Sequence, residues 1–184
     1  MSPLIPFVDK LLSYLTVLGD ILVPLLLLII ISYSGRKLFH PDNVIIKLLR
    51  RFGLLAAFIV AVIATGGSLF YSEVAGYLPC ELCWFQRIFM YPQVIILGMA
   101  LWKQQKNVIL FSLPLTIIGG LIALYHYLLQ TSSLPLPAPC SVTGYSVSCA
   151  TDFVREFGYI TIPMMALTAF VLISLFLIAH RRTQ

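Results

Sequence analysis

The chain has 184 residues, of which 60% are hydrophobic and 10% charged, and its mean hydropathy is +0.97. A water-soluble domain of that make-up would expose large apolar patches, so composition excludes one and implies a single compact multi-span membrane protein. The formal net charge of +5 does not mark a nucleic-acid binder: the basic residues gather in short connections between apolar runs, where they report topology.

Five apolar segments follow in chain order, over Leu11–Tyr33, Phe52–Phe70, Trp84–Trp102, Val108–Leu129 and Tyr159–Ala179. Each approaches or exceeds the ~20 residues a helix needs to cross ~30 Å of hydrocarbon. Backbone groups in lipid must find partners within the segment, so runs of this length are predicted to be helices. The expected architecture is an all-α membrane bundle. Residues 1–51 hold an N-terminal apolar helix and a basic loop, and residues 52–184 hold four further helices with outer loops at 71–83 and 130–158.

The first segment carries Asp20 and Pro24, which leave room for a tilted, kinked or partly inserted helix. Asp20 reads either as an interfacial or capping residue or as a functional carboxylate inside the membrane. A cleaved signal peptide is not expected, because the basic cluster follows the apolar stretch and no small-residue cleavage site comes after it.

Arg36, Lys37, Lys47, Arg50 and Arg51 separate segments one and two, Lys103 and Lys106 separate three and four, and Arg181 and Arg182 follow five. These nine of the twelve basic residues share one face if every segment spans. That face is cytoplasmic by the positive-inside rule. The turn from Glu73 to Cys80 and the loop from Thr131 to Gly158 then lie outside, with all four cysteines, where disulfides persist. The last four segments keep this orientation even if the first does not cross.

The most informative string is Pro79-Cys80-Glu81-Leu82-Cys83-Trp84-Phe85-Gln86-Arg87, at the mouth of the third segment. A C-x-x-C pair holds two sulfurs close enough to switch between dithiol and disulfide, and a helix start favours the thiolate. Haem attachment would need His after the second cysteine, where Trp84 stands. A zinc site would need Cys140 and Cys149 as the remaining ligands, but eight residues between them is not finger-like spacing. A structural disulfide and a non-catalytic zinc- or disulfide-stabilised scaffold remain alternatives to a redox pair.

Arg87 lies one turn beyond Cys83 on the same helix face. As a snorkelling anchor it would oppose the local charge bias; as a functional cation it would stabilise a Cys83 thiolate or a reducing acceptor. His126, near the outer end of segment four, reads equally as an aromatic-belt residue or as a polar partner for an acceptor carbonyl. The prolines at 135, 137 and 139 favour an extended arm before Cys140. A Cys140–Cys149 bridge would close a short mobile loop that a partner can reach.

Together, Gly67-Ser68-Leu69-Phe70-Tyr71-Ser72-Glu73, the C-x-x-C string through Arg87, Met90-Tyr91-Pro92, His126-Tyr127-Leu128-Leu129-Gln130, Pro139-Cys140, Cys149 and Phe157-Gly158-Tyr159-Ile160-Thr161-Ile162-Pro163 resemble the DsbB/BdbC disulfide-formation family over roughly residues 50–180. The likeness is closer to the compact BdbC type. That family is usually four-helical, so the segment before Phe52 departs from it.

The resemblance implies a quinone-dependent thiol oxidase in a bacterial inner membrane. A DsbA-like thioredoxin-fold dithiol partner would attack Cys140 or Cys149 of a Cys140–Cys149 disulfide, with Cys140 the favoured of the two. Exchange would then reduce Cys80–Cys83, and Cys83 would reduce a quinone (ubiquinone or menaquinone) with help from Arg87 and His126. Vitamin-K-epoxide-reductase-type proteins also join cysteine pairs to quinones, but there the loop cysteines precede the C-x-x-C.

Overall fold

A computed structural model describes residues 4–34, 44–103, 107–132 and 148–182. The fold is an all-helical membrane bundle: α1 (Leu4–Ser34), α2 (Val44–Leu69) running into a π-helical turn (Phe70–Val74), α3 (Glu81–Lys103), α4 (Val108–Thr131) and α5 (Ile162–Arg182). The first, third and fourth predicted segments sit inside α1, α3 and α4, and the second ends one residue into the π-helical turn; α1 and α2 begin seven and eight residues earlier than their apolar runs. The fifth is shorter than expected: α5 begins at Ile162, because Glu156 and Ile160 pair backbone to backbone in a tight turn that holds Tyr159–Thr161 out of the helix. Arg36, Lys37, Lys106, the Pro-rich arm and Cys140 lie outside the described residues.

Among the described residues, four helical stretches are both long and apolar enough to cross a membrane: Leu4–Ser32, Arg51–Val74, Val108–Thr131 and Ile162–His180. The fifth predicted span, α3, reaches about 35 Å at 1.5 Å per residue but is more polar. Glu81, Gln86, Arg87 and Gln93 interrupt it, and Gln86 and Gln93 point inward rather than to lipid, at 6% and 0% exposure. Gln93 Nε2 donates to the Ser112 carbonyl at 3.2 Å, and the Ser112 hydroxyl donates back to Gln93 Oε1. In hydrocarbon such a reciprocal pair fixes the register of α3 against α4, because neither side chain has water as an alternative partner.

α2, α3, α4 and α5 form a closed ring of neighbours, each packing on the next and α5 packing back on α2. The core between them holds Leu97, Phe170, Ile173 and Leu177, closed by alanines 57, 61 and 123. Small residues allow close approach. A Cβ on Gly119 would fall 2.4 Å from the ring of buried Phe170, and one on Gly53 would fall 3.2 Å from the Phe176 carbonyl. The Gly53 contact sets the start of α2 beside the end of α5, so Arg51 and His180 share one end of the bundle.

α1 stands outside the ring, parallel to α5. Its Tyr14 ring meets Phe157 at 5.5 Å, and lower down Leu26 joins Leu172 and Leu175. Gly19 brings the two helices together, since a Cβ there would fall 2.7 Å from Thr168 Cγ2. Asp20 accepts hydrogen bonds from Thr168 Oγ1 (2.7 Å) and from Tyr159 OH (3.1 Å). Its carboxylate is therefore an interhelical contact whose two donors offset its removal from water. The helix continues through Pro24.

Gly119→Ala is expected to destabilise the protein by about 1–3 kcal/mol through overpacking against Phe170. At Gly66 nothing lies within 4 Å of an added Cβ, so Gly66→Ala is expected to stabilise by about 0.5–1 kcal/mol through helix propensity. Denaturant unfolding in detergent, followed by tryptophan fluorescence, would check both signs.

Candidate active site

Cys80 ends the turn that joins the π-helical segment to α3 and opens that helix, its carbonyl accepting the first helical bond from Trp84 N at 3.1 Å. Three residues on, Cys83 returns to the same face, and its Sγ lies 3.1 Å from Cys80 Sγ. Both are free thiols, with Cys80 buried and Cys83 partly buried. The helix start contributes partial positive charge at this point.

His126 comes to the pair from α4. Its ring is 1% exposed, with Nε2 3.6 Å from Cys80 Sγ and 3.1 Å from the Cys149 carbonyl, and Nδ1 3.0 Å from Gln86 Nε2. With the Gln86 amide donating to Nδ1, Nε2 carries the proton and presents it to the carbonyl and the sulfur. The hydrogen bond from Cys83, reinforced by His126, outweighs burial and holds the Cys80 thiol well below the usual cysteine range. Cys80 is thus the cysteine of the pair whose thiolate is favoured.

Cys149 is disulfide-bonded and 1% exposed, and it packs in one buried cluster with Cys80 and Leu82. Of the predicted site residues, the structure brings Cys80, Cys83, His126 and Cys149 together, while Cys140 lies outside the described residues. The sequence left His126 between an aromatic-belt residue and a partner for an acceptor carbonyl; the ring sits at the sulfurs, joining the C-x-x-C to the second cysteine segment.

Arg87 occupies the neighbouring wall. Its Nε donates to Ser68 Oγ (3.0 Å), its Nη2 to the Ser68 carbonyl (2.9 Å), and its guanidinium lies 5.2 Å from the Trp84 ring centre. Tyr91 OH also reaches Ser68 Oγ, at 3.3 Å. Among the described residues the arginine's hydrogen bonds therefore go to α2 rather than to a sulfur. This holds a cation, partly desolvated, beside the dithiol.

Beside the sulfurs lies a cavity of about 270 Å³, lined by Cys80, Cys83, Gln86, Arg87 and His126 and, over most of the remaining wall, by apolar side chains with Thr16 and Thr168 among them. Its roof is an aromatic stack: Tyr71 on Tyr77 at 5.9 Å, and Tyr77 on Phe153 at 5.0 Å. The π-helical turn delivers Tyr71 to that stack, a distortion often found at functional sites. Sequence reasoning assigned no role to Gln86, Ser68, Tyr91 or the stack. For Gln86 a signal was present: an uncharged polar residue three positions after Cys83 shares its helix face.

The arrangement can hold a thiolate, exchange it with a neighbouring disulfide, and present a dithiol to an apolar ligand beside a fixed cation. The family model for the disulfide bond formation protein DsbB matches residues 50–180. Disulfide bond formation protein C of Bacillus subtilis is 46% identical over 125 residues, which cover 67% of this chain and 88% of that protein. A probable disulfide formation protein of Metapseudomonas resinovorans is 43% identical over 130 residues, 70% of this chain and 89% of its own length. Another from Coxiella burnetii is 38% identical over 135 residues, covering 73% and 90%. No solved structure matches.

Because its thiol is held below the ordinary cysteine range, Cys80 in the reduced protein should keep reacting with iodoacetamide below neutral pH, where an ordinary thiol of pKa about 8.5 has lost nearly all its thiolate. Removing the donor with Cys83→Ala raises the Cys80 pKa, so its rate should rise with pH, about tenfold per unit below the new pKa. Mass-spectrometric quantification of modified Cys80 measures both profiles.

Proposed function

The chain belongs to the DsbB family of disulfide bond formation proteins, a family of membrane thiol–disulfide oxidoreductases, and from that premise we propose that it is a quinone-dependent thiol oxidase. It re-oxidises a thioredoxin-fold dithiol partner outside the cytoplasm and passes the electrons to a membrane quinone. The observation that carries this reading is the position of the Cys80–Cys83 pair, packed against Cys149 and lining a largely apolar cavity with Arg87 at its wall.

A thiolate of the partner attacks Cys140 in a Cys140–Cys149 disulfide, and Cys149 leaves. The partner's second thiolate resolves the mixed disulfide, so the partner departs oxidised and both loop cysteines are reduced. Cys149, beside Cys80, then attacks the Cys80–Cys83 disulfide at Cys80 and frees Cys83 as a thiolate at the cavity. Attack by Cys140 on Cys149 restores the loop disulfide and releases Cys80, so two electrons have moved to the C-x-x-C pair. His126 Nε2–H stabilises the charge at Cys80, and Gln86 keeps the ring turned toward it. Re-forming the Cys80–Cys83 bond gives up two electrons and two protons.

The cavity suits a quinone: it is apolar over most of its wall, with a few convergent polar groups at one end. Arg87, His126 and Gln86 would hold the head group, and the quinone supplies a lipid-soluble two-electron, two-proton acceptor. Arg87 needs no reorganisation to meet developing negative charge, because Ser68 and Trp84 already fix it.

The scaffold alternative has one point of contact. Cys80, Cys83 and His126 place three ligand atoms within 4.8 Å of one another. A structural zinc uses four, and Cys149 is occupied by its disulfide.

The assay is quinone reduction by the detergent-purified protein with a reduced thioredoxin-fold partner. Cys80→Ser and Cys83→Ser are each expected to abolish turnover, and near-normal rates in either would overturn the proposal, as would stoichiometric zinc with inert thiols. Arg87→Ala is expected to raise the apparent KM for quinone about tenfold, equivalent to about 1.4 kcal/mol, with both cysteine pairs still able to form. An unchanged KM would remove Arg87 from the acceptor site.

A further inference from the structure

The family match begins at residue 50, so α1 lies outside the part shared with the family. It nevertheless forms part of the cavity that contains the sulfurs. Leu12, Thr16, Gly19 and Leu22 of α1 line it, at spacings that keep them on one helix face. Opposite them stand Val60, Ala64 and Gly67 of α2, and the α5 residues Ala166, Ala169 and Phe170 close the third side.

The packing of α1 explains why a space is left. The helix leans on α5 through Gly19, Asp20 and Leu26. It closes on α2 near the sulfur end, where Leu12 would sit 3.0 Å from a Cβ on Gly67. Deeper in the membrane the side of α1 facing α2 borders the cavity. From Ser68, at the arginine, to Val60 this apolar limb follows eight residues of α2, about 12 Å of helix. Its length, apolar walls and continuity with the Arg87 end suit a hydrocarbon chain attached to a polar head.

We infer that α1 is a ligand-binding element, its Leu12–Leu22 face forming with α2 and α5 a slot for the hydrocarbon tail of the membrane quinone. The inference rests on the quinone reading above and deepens it: the tail as well as the head group sets affinity. Asp20 contributes by position, since its bonds to Thr168 and Tyr159 tie α1 to α5 and so keep the third wall in place.

The test compares a long-tailed isoprenoid quinone with a tailless ring quinone, binding each to the full-length protein in detergent. Quenching of intrinsic fluorescence, to which Trp84 beside Arg87 contributes, gives Kd without turnover. Thr16→Phe on α1 and Ala64→Phe on α2 each place a ring in the limb and touch none of the cysteines, Arg87 or His126. Both variants are expected to weaken the long-tailed quinone tenfold or more while leaving the Kd of the tailless quinone within twofold, which also shows that the head site is folded. Equal changes for the two quinones, or no change for the long-tailed one in both variants, would overturn the slot. If the wild-type protein binds neither quinone, the acceptor reading itself falls and the slot with it.

Discussion

A buried hydrogen-bond chain organises this molecule: Gln86 to His126, and His126 to both Cys80 Sγ and the Cys149 carbonyl. Three segments far apart in sequence meet in it, away from water, where an unmade polar contact is costly. It turns the imidazole so that one N–H faces a sulfur, and with the Cys83 donor it decides which cysteine of the pair carries charge. A dithiol in an apolar site would otherwise stay protonated and slow to exchange, because burial opposes the thiolate.

The polarity that makes α3 the least apolar of the five helices is the same polarity that builds the site. Gln93 fixes the helix against α4, Gln86 turns inward to His126, and Arg87 is held against α2 by Ser68. Each residue would be expensive facing lipid, and each is placed where another helix supplies its partner. Its neighbours α2 and α4 cover the polar side of α3, while apolar residues such as Ile88 and Ile95 take the exposed side.

α1 packs against the outside of the α2–α5 ring. It uses close approaches at Gly19 and at Gly67 and one half-buried carboxylate with two donors. Asp20 would look out of place on a lone apolar segment. Beside Thr168 and Tyr159 it is the polar contact that sets the register between α1 and α5.

Much was legible in one dimension, because helix formation in lipid depends on apolar run length and C-x-x-C chemistry on local spacing. Cys80, Cys83 and the helix start all fall within a single turn. Residues separated by 46 positions, as Cys80 and His126 are, meet only through the packing of whole helices, and no local pattern encodes that distance. Sequence alone therefore determined the membrane class, the helices and the paired thiols. Tertiary packing alone decided that His126 serves the sulfurs, that Arg87 rests on Ser68, and that α1 walls the cavity, since each is a contact between helices that choose their partners by shape and buried hydrogen bonding.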